Sequence, residues 1–223
     1  MNKTVLVVAA HTDDEALGCG GTIARHVAEG DTVHTVFLAD GVSSRPDAQY
    51  DALDVRQQAA EQAQKILGVS SASYLGLPDN RLDSLALLDI VQPLEAVIER
   101  IRPEIIYTHH FGDLNVDHRK THEAVMTACR PLPGSSVKEI LTFEVMSSTE
   151  WNSAGQMPFI PSFYIDISNY FTVKKEALEA YTLEMRPAPH SRNVEHMRYL
   201  ARHHGHCVGV QAAEAFMVMR VLR

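Results

Sequence analysis

The chain has 223 residues, 45% of them hydrophobic, and 20 Lys+Arg against 28 Asp+Glu give a formal net charge of −8. That length suits one α/β domain with a sizeable core, and the acidic balance speaks against a nucleic-acid-binding role, which wants a basic face. Cys19, Cys129 and Cys207 lie too far apart for a cysteine zinc site or a disulfide framework. With neither a signal-peptide pattern nor a bilayer-length apolar run, a cytoplasmic enzyme is the expected class, as monomer or homo-oligomer.

Residues 4–10 form a valine-rich apolar run, the pattern of a strand buried on both faces of a parallel sheet. Helical spacing follows over 15–29, ended by Gly30-Asp31, and 32–39 is a second strand. This is a β-α-β unit within forty residues, the right-handed building block of parallel sheets. A polar loop spans 40–50, a helix 51–67 stopped by Gly68, and a short strand 72–75. A loop over 76–83 carries Pro78, Asp79 and Asn80, and a helix over 84–101 is disturbed at Pro93. A fourth strand, 104–108, ends at His109-His110.

An irregular loop over 110–116 leads into a helix over 117–130 and a fifth strand over 139–144. Residues 147–162 are rich in Ser, Pro, Gly and Asn and read as an extended loop holding the lone tryptophan, Trp151. A short strand over 163–167, helices over 173–184 and 193–204, and a last strand over 215–222 complete the chain. The expectation is a single-domain α/β fold over 1–223: a mostly parallel, Rossmann-like sheet with helices on both faces. Residues from about 145 onward are expected to form a cap or pocket wall.

Between the first strand and first helix stand His11, Asp13, Asp14 and Glu15. In parallel α/β sheets, ligands bind at the carboxyl ends of the strands. His11 ends the first strand and His110 the fourth, so both fall on one rim, and His118 opens the next helix on that side. A catalytic zinc wants three His or Asp/Glu ligands and an open position; His11, Asp14 and His118 meet that count. Asp13, between two ligands, is placed to reach a water rather than the metal, the position of a general base. Glu15 is expected at the helix start, favoured there by the helix dipole. The same carboxylates also suit helix capping, which competes with ligation as their role. Gly18-Cys19-Gly20-Gly21 is not a dinucleotide fingerprint, and its glycines lie behind carboxylates that repel a pyrophosphate.

Ala10-His11-Thr12-Asp13-Asp14-Glu15 with Gly18-Cys19-Gly20-Gly21 resembles the A-H-P-D-D-E…G-x-G-G signature of the PIG-L/LmbE-like zinc-dependent de-N-acetylases. Asn115-Val116-Asp117-His118 matches their second signature, H-P-D-H, and the likeness extends to Arg56, Leu77-Pro78-Asp79 and Pro189-His190-Ser191-Arg192. The resemblance implies zinc (or another divalent metal) on His11, Asp14 and His118. It makes Asp13 the general base, and the substrate an N-acyl small molecule, foremost an N-acetyl amino sugar. Thr12 replaces a proline without removing a ligand. Asn115 replaces a histidine, and an asparagine donates a hydrogen bond but supplies no proton.

Strand geometry makes His110 the candidate acid or oxyanion stabiliser, with a backbone-bonded loop histidine as the alternative. His109 alternates with it and is expected to be structural. Asp113 and Asp117 are candidates to orient histidines. The resemblance makes Arg56 a substrate-binding or loop-anchoring residue. Asp79 suits sugar hydroxyls or a turn. His190 and Arg192 are placed to close over a substrate, with His190 a second candidate acid. His122 shares the His118 face and is expected to pack rather than ligate. Trp151 suits stacking on a sugar or pinning its loop. A metal-containing binding protein without turnover, with Asn115 as the lesion, is the rival reading.

Overall fold

The computed structural model describes residues 2–46, 49–153 and 155–223. Residues 47 and 48 of the expected 40–50 loop, and residue 154 of the 147–162 loop, lie outside the described residues. Seven strands form one sheet: β1 (Thr4–Ala9), β2 (Thr32–Ala39), β3 (Ser71–Leu77), β4 (Ile105–His109), β5 (Glu139–Phe143), β6 (Phe163–Asp166) and β7 (Ala213–Val221). The helices are α1 (Asp14–Ala28), α2 (Ala52–Leu67), α3 (Leu87–Ile101), α4 (Val116–Ala128), α5 (Phe171–Ala180) and α6 (Val194–Cys207).

The strand order is β3-β2-β1-β4-β5-β7-β6. The five strands β3 to β5 pair in parallel, and β7 runs antiparallel to both β5 and β6. The mostly parallel α/β sheet expected from the sequence is therefore present. Alternation along β1 explains the unbroken apolar run from Val5 to Ala9. Val5 and Val7 pack on the α1–α5 side with Leu67 and Leu178, while Leu6 and Val8 pack on the other with Leu94 and Val125. A strand covered on both faces reads as a near-continuous apolar run, and the one polar residue of β1, Thr4, stands at its half-buried start. No described helix is long and apolar enough to cross a membrane.

Several boundaries differ from the sequence pattern. The helix expected over 84–101 starts at Leu87 after a one-turn 3-10 segment at Leu82–Ser84, and it continues through Pro93. β7 begins at Ala213, and its partner β6 ends at Asp166. α5 opens two residues before the expected start and stops at Ala180, four short of the expected end. The segment after residue 145 adds β6 and β7 to the common sheet, α5 packs against α1 and α2, and Ser147, Glu184 and Arg192 face the cleft described below.

The glycines after Asp14 serve packing. A Cβ at Gly18 would lie 2.2 Å from the Phe143 ring, and one at Gly21 would lie 2.8 Å from Ile167. They let α1 approach the sheet closely. Cys19 breaks the helical dihedrals at φ −145°, and the Glu214 carboxylate accepts from the Gly21 and Thr22 amides at 3.0 and 2.7 Å. That carboxylate caps the second half of the helix.

Candidate metal centre

β1 and β4 are hydrogen-bonded neighbours, so their carboxyl ends bring residues about a hundred positions apart onto one rim. There, ligand atoms of His11, Asp14 and His118 lie within 4.8 Å of one another, all three residues being buried. Asp14 Oδ2 stands 3.3 Å from both His11 Nδ1 and His118 Nε2. The remaining nitrogen of each ring faces a carboxylate: His11 Nε2 lies 3.1 Å from Asp117 and from Asp79, and His118 Nδ1 lies 3.2 Å from Asp113. A carboxylate behind each imidazole holds the proton on the outer nitrogen and leaves the inner lone pair free.

The carboxylates make this corner favour positive charge. Burial would lower His118, but Asp14 and Asp113 outweigh it and push it up to about 9. Burial likewise opposes the charged form of His11, yet Asp117, Asp14 and Asp79 hold it well above the usual histidine range. Burial would raise Asp14, but the surrounding histidines, His118 foremost, hold it well below the usual carboxylate range. Two imidazoles and one carboxylate, buried and oriented from behind, fit the donor set of a catalytic zinc with an open position.

The outer carboxylates are fixed by the loops they join. Asp117 accepts from the Asn80 and Leu82 amides at 2.6 and 3.0 Å, tying the β3–α3 loop to the start of α4. Asp113 accepts from the Ser148 hydroxyl, from Thr149 at 2.6 Å and from the Asn115 amide at 2.8 Å, tying the β4–α4 loop to the segment after β5. Asn115 is the N-cap of α4: its Oδ1 accepts from the Asp117 amide at 2.8 Å and its Nδ2 donates to Asn80.

Asp13 stands beside the triad, 2% exposed, with φ at 109°. A residue with a side chain held there costs of order 1–3 kcal/mol. Its Oδ2 accepts from Arg192 Nη1 at 2.8 Å, and its Oδ1 lies 3.4 Å from Arg56 Nη2. Burial raises its pKa to about 6 against the pull of those arginines. Arg56 is 8% exposed and its donors are engaged: Nε to Thr12 Oγ1, Nη2 to the Thr12 carbonyl, Nη1 to Glu184, at 2.8, 2.7 and 2.6 Å. It anchors the β1–α1 turn, and Thr12 offers it a hydroxyl that a proline would lack. Above these residues opens a cleft of about 250 Å³, lined mainly by polar atoms, with Arg45, Asp79, Asn80, Asn115 and Ser147 in its wall.

Two sequence expectations are corrected by this geometry. His110 is not brought to the cleft: its Nε2 donates to the Met157 carbonyl at 2.8 Å, and its ring lies against Phe111 and Phe159. Alternation on β4 gives the rim position to His109 instead. His109 Nε2 accepts from the Ala10 amide at 2.9 Å, lies 3.4 Å from Asp14, and its ring stacks on His118 at 4.0 Å. Burial holds His109 down to about 4, so it stays neutral beside the triad. His190 also stays out of the cleft lining: its Nδ1 accepts from the Arg192 amide at 3.0 Å, and its ring meets Trp151 edge-on at 5.5 Å. The pair braces the loop from which Arg192 reaches Asp13.

His122 donates to the His109 carbonyl at 2.9 Å and packs as expected. Asp79 lines the cleft, bonded to Ser44 as well as facing His11. Glu184 was missed in the sequence because an acidic residue at the end of a helical pattern gives no signal. Glu15 stands in the first turn of α1, as expected, and is wholly buried there.

Residues 6–129 match a family model described as PIG-L, GlcNAc-PI de-N-acetylase. The chain is 34% identical over 185 residues to the uncharacterized deacetylase YaiS of Escherichia coli strain K12, covering 80% of this chain and 90% of that protein. Its fold is similar to that of N,N'-diacetylchitobiose deacetylase from Pyrococcus horikoshii, with a TM-score of 0.79, 20% identity, and 98% and 84% of the two chains covered. It is also similar to GalB, the 4-carboxy-2-hydroxymuconate hydratase of Pseudomonas putida KT2440, with a TM-score of 0.76, 25% identity, and 99% and 98% covered.

Proposed function

This chain belongs to the PIG-L family, and on that premise we propose that it is a zinc-dependent hydrolase that removes an N-acyl group, acetyl foremost, from an amino sugar or related small molecule. The observation that carries the reading is the buried Asp13 carboxylate set beside the His11–Asp14–His118 triad at the floor of a polar cleft. His11, Asp14 and His118 would hold the metal. When bound there, a divalent cation polarises an amide carbonyl and brings the pKa of a water to roughly 7.

Asp13 takes a proton from the attacking water. The new bond is carbon–oxygen, the broken one is the amide carbon–nitrogen, and the products are a free amine and a carboxylic acid, which keeps the second proton of the water and ionises on release. The proton goes back from Asp13 to the leaving nitrogen. This double duty follows from the cleft: Asn115 supplies no proton, and His110 and His190 face other partners. Arg192 and Arg56 hold the Asp13 carboxylate in place through both changes of charge. Asp79, Asn80, Arg45 and Ser147 present donors and acceptors to sugar hydroxyls, as befits a cleft with little apolar lining. Arg56 and Asn115 shape the pocket as anchors of its loops. The free thiols Cys19, Cys129 and Cys207 fit a reducing cytoplasm.

The similarity to a hydratase supports a second reading, in which the same site adds water across a conjugated carbon–carbon double bond. One experiment separates the readings. The zinc-loaded protein is given N-acetylglucosamine, N,N'-diacetylchitobiose and, separately, a conjugated unsaturated dicarboxylate. Acetate release from the sugars supports the deacetylase. Loss of the conjugated absorbance without acetate release supports the hydratase. Binding of the sugars without either product returns the protein to a non-hydrolytic metal-containing binding role.

A further inference from the structure

Glu15 is fully buried yet belongs to neither the ligand triad nor the cleft lining. A carboxylate out of water needs donors to match it, and Glu15 has three. The Tyr181 hydroxyl and Gln64 Nε2 both donate to its Oε1 at 2.7 Å, and the Asp13 backbone amide donates to its Oε2 at 3.0 Å. Gln64 is itself oriented, because Thr35 Oγ1 donates to its Oε1 at 3.0 Å. Tyr181, Gln64 and Thr35 come from three separate places in the fold: the end of α5, α2 and β2.

They converge on Glu15, and through it they hold the neighbouring residue whose backbone needs holding. Asp13 sits at φ 109°, in the left-handed region that favours glycine. Its carbonyl accepts from the Leu17 amide at 2.9 Å, and its amide is bound by Glu15, so the residue is clamped at both ends. From this conformation the Asp13 side chain reaches Arg192 and Arg56 in the cleft.

We propose that Glu15 is a positioning residue for the general base: held by Tyr181 and Gln64, its carboxylate fixes the left-handed Asp13 peptide and so aims the Asp13 carboxylate at the reacting atoms. The proposal rests on the reading of Asp13 as the base. A displacement of about 1 Å at a catalytic group costs up to about a hundredfold in rate. Loosening the clamp by one hydrogen bond therefore acts on kcat, without touching metal or substrate.

The test is Tyr181→Phe, which removes only the hydroxyl. Its control is Tyr107→Phe, which removes another buried hydroxyl, bonded to His26 at 2.9 Å and outside the cleft. Acetate release from N-acetylglucosamine, bound zinc, thermal stability and hydrogen exchange at the Asp13 amide are measured in both. The expected result for Tyr181→Phe is a kcat about tenfold lower, KM and bound zinc unchanged, and faster exchange at Asp13. Tyr107→Phe changes stability alone. An unchanged kcat in Tyr181→Phe, or an equal fall in both variants, overturns the proposal. Should the parent protein release no acetate, the reading of Asp13 fails on its own. Exchange at Asp13 then still decides: acceleration confined to Tyr181→Phe supports the clamp, and its absence overturns it.

Discussion

Two strand-to-helix corners build this centre, and they do so in opposite ways. At the β1–α1 corner, two proposed ligands and the proposed base fall within four consecutive residues, His11 to Asp14, and the turn is tight, with one strained residue clamped by a buried network. At the β4–α4 corner a single proposed ligand, His118, comes nine residues after the strand. Three of the intervening residues build scaffolding: Asp113 and Asp117 stand behind the two imidazoles, and Asn115 caps the helix. The first corner concentrates chemistry and depends on distant residues to hold its shape. The second carries its own shape and delivers one side chain. Disturbing the clamped base at the first should therefore cost rate, and disturbing the scaffold of the second should cost metal affinity or stability.

The largest effect belongs to the first corner. Asp13→Asn keeps the size of the side chain and removes the base, so kcat should fall by about 10³-fold with bound zinc unchanged, measured by acetate release and metal analysis on one preparation. Loss of zinc together with activity would make Asp13 a ligand and erase the distinction between the corners. At the second corner, Asp113→Asn leaves His118 in place but weakens its orienting partner. Zinc affinity should drop about 10- to 100-fold in a competition titration against a chromophoric chelator, and kcat at saturating zinc should stay near that of the parent.

Smaller still is Asn115→Ala. It deletes the α4 cap and should cost about 1 kcal/mol of stability, read as a shifted urea midpoint, while Asn115→Asp should recover most of it. A large loss of kcat at unchanged stability would instead give Asn115 a direct part in the reaction. The smallest expected effect is that of His110→Gln. With its ring bonded to Met157 and turned from the cleft, kcat should remain near that of the parent. A drop of about 10²-fold, the scale of a removed general acid, would restore His110 to the chemistry.

The same contrast explains what the sequence discloses. The β1–α1 corner is legible because its residues are contiguous: an apolar run fixes the strand, and the carboxylates that follow can only stand at its carboxyl end. His118 is legible because it sits in the first turn of a helix on the same rim. The face of His109 and His110 is not. Alternation says that they diverge, but which one turns inward depends on the register of β4 against β1, and only the pairing supplies that. Glu15 is legible as a first-turn acidic residue, but its buried network is not, because its partners, Gln64 and Tyr181, lie 49 and 166 residues away. Arg56 and Glu184 likewise form a pair only once α2 and the segment after α5 are brought together. The sheet order is likewise beyond a local reading at its far edge. β7 inserts antiparallel between β5 and β6, and nothing in its own apolar pattern reports direction.

The proposed hydrolysis uses one zinc held by His11, Asp14 and His118, with Asp13 as its base. It is tested most directly by stripping the protein with a chelator, restoring zinc in measured amounts, and following acetate release from an N-acetyl amino sugar alongside bound metal. The account predicts that release vanishes in the stripped protein, returns in proportion to zinc up to one equivalent per chain, and does not return in His118→Ala. Undiminished release from the stripped protein, or full recovery in His118→Ala, would contradict it.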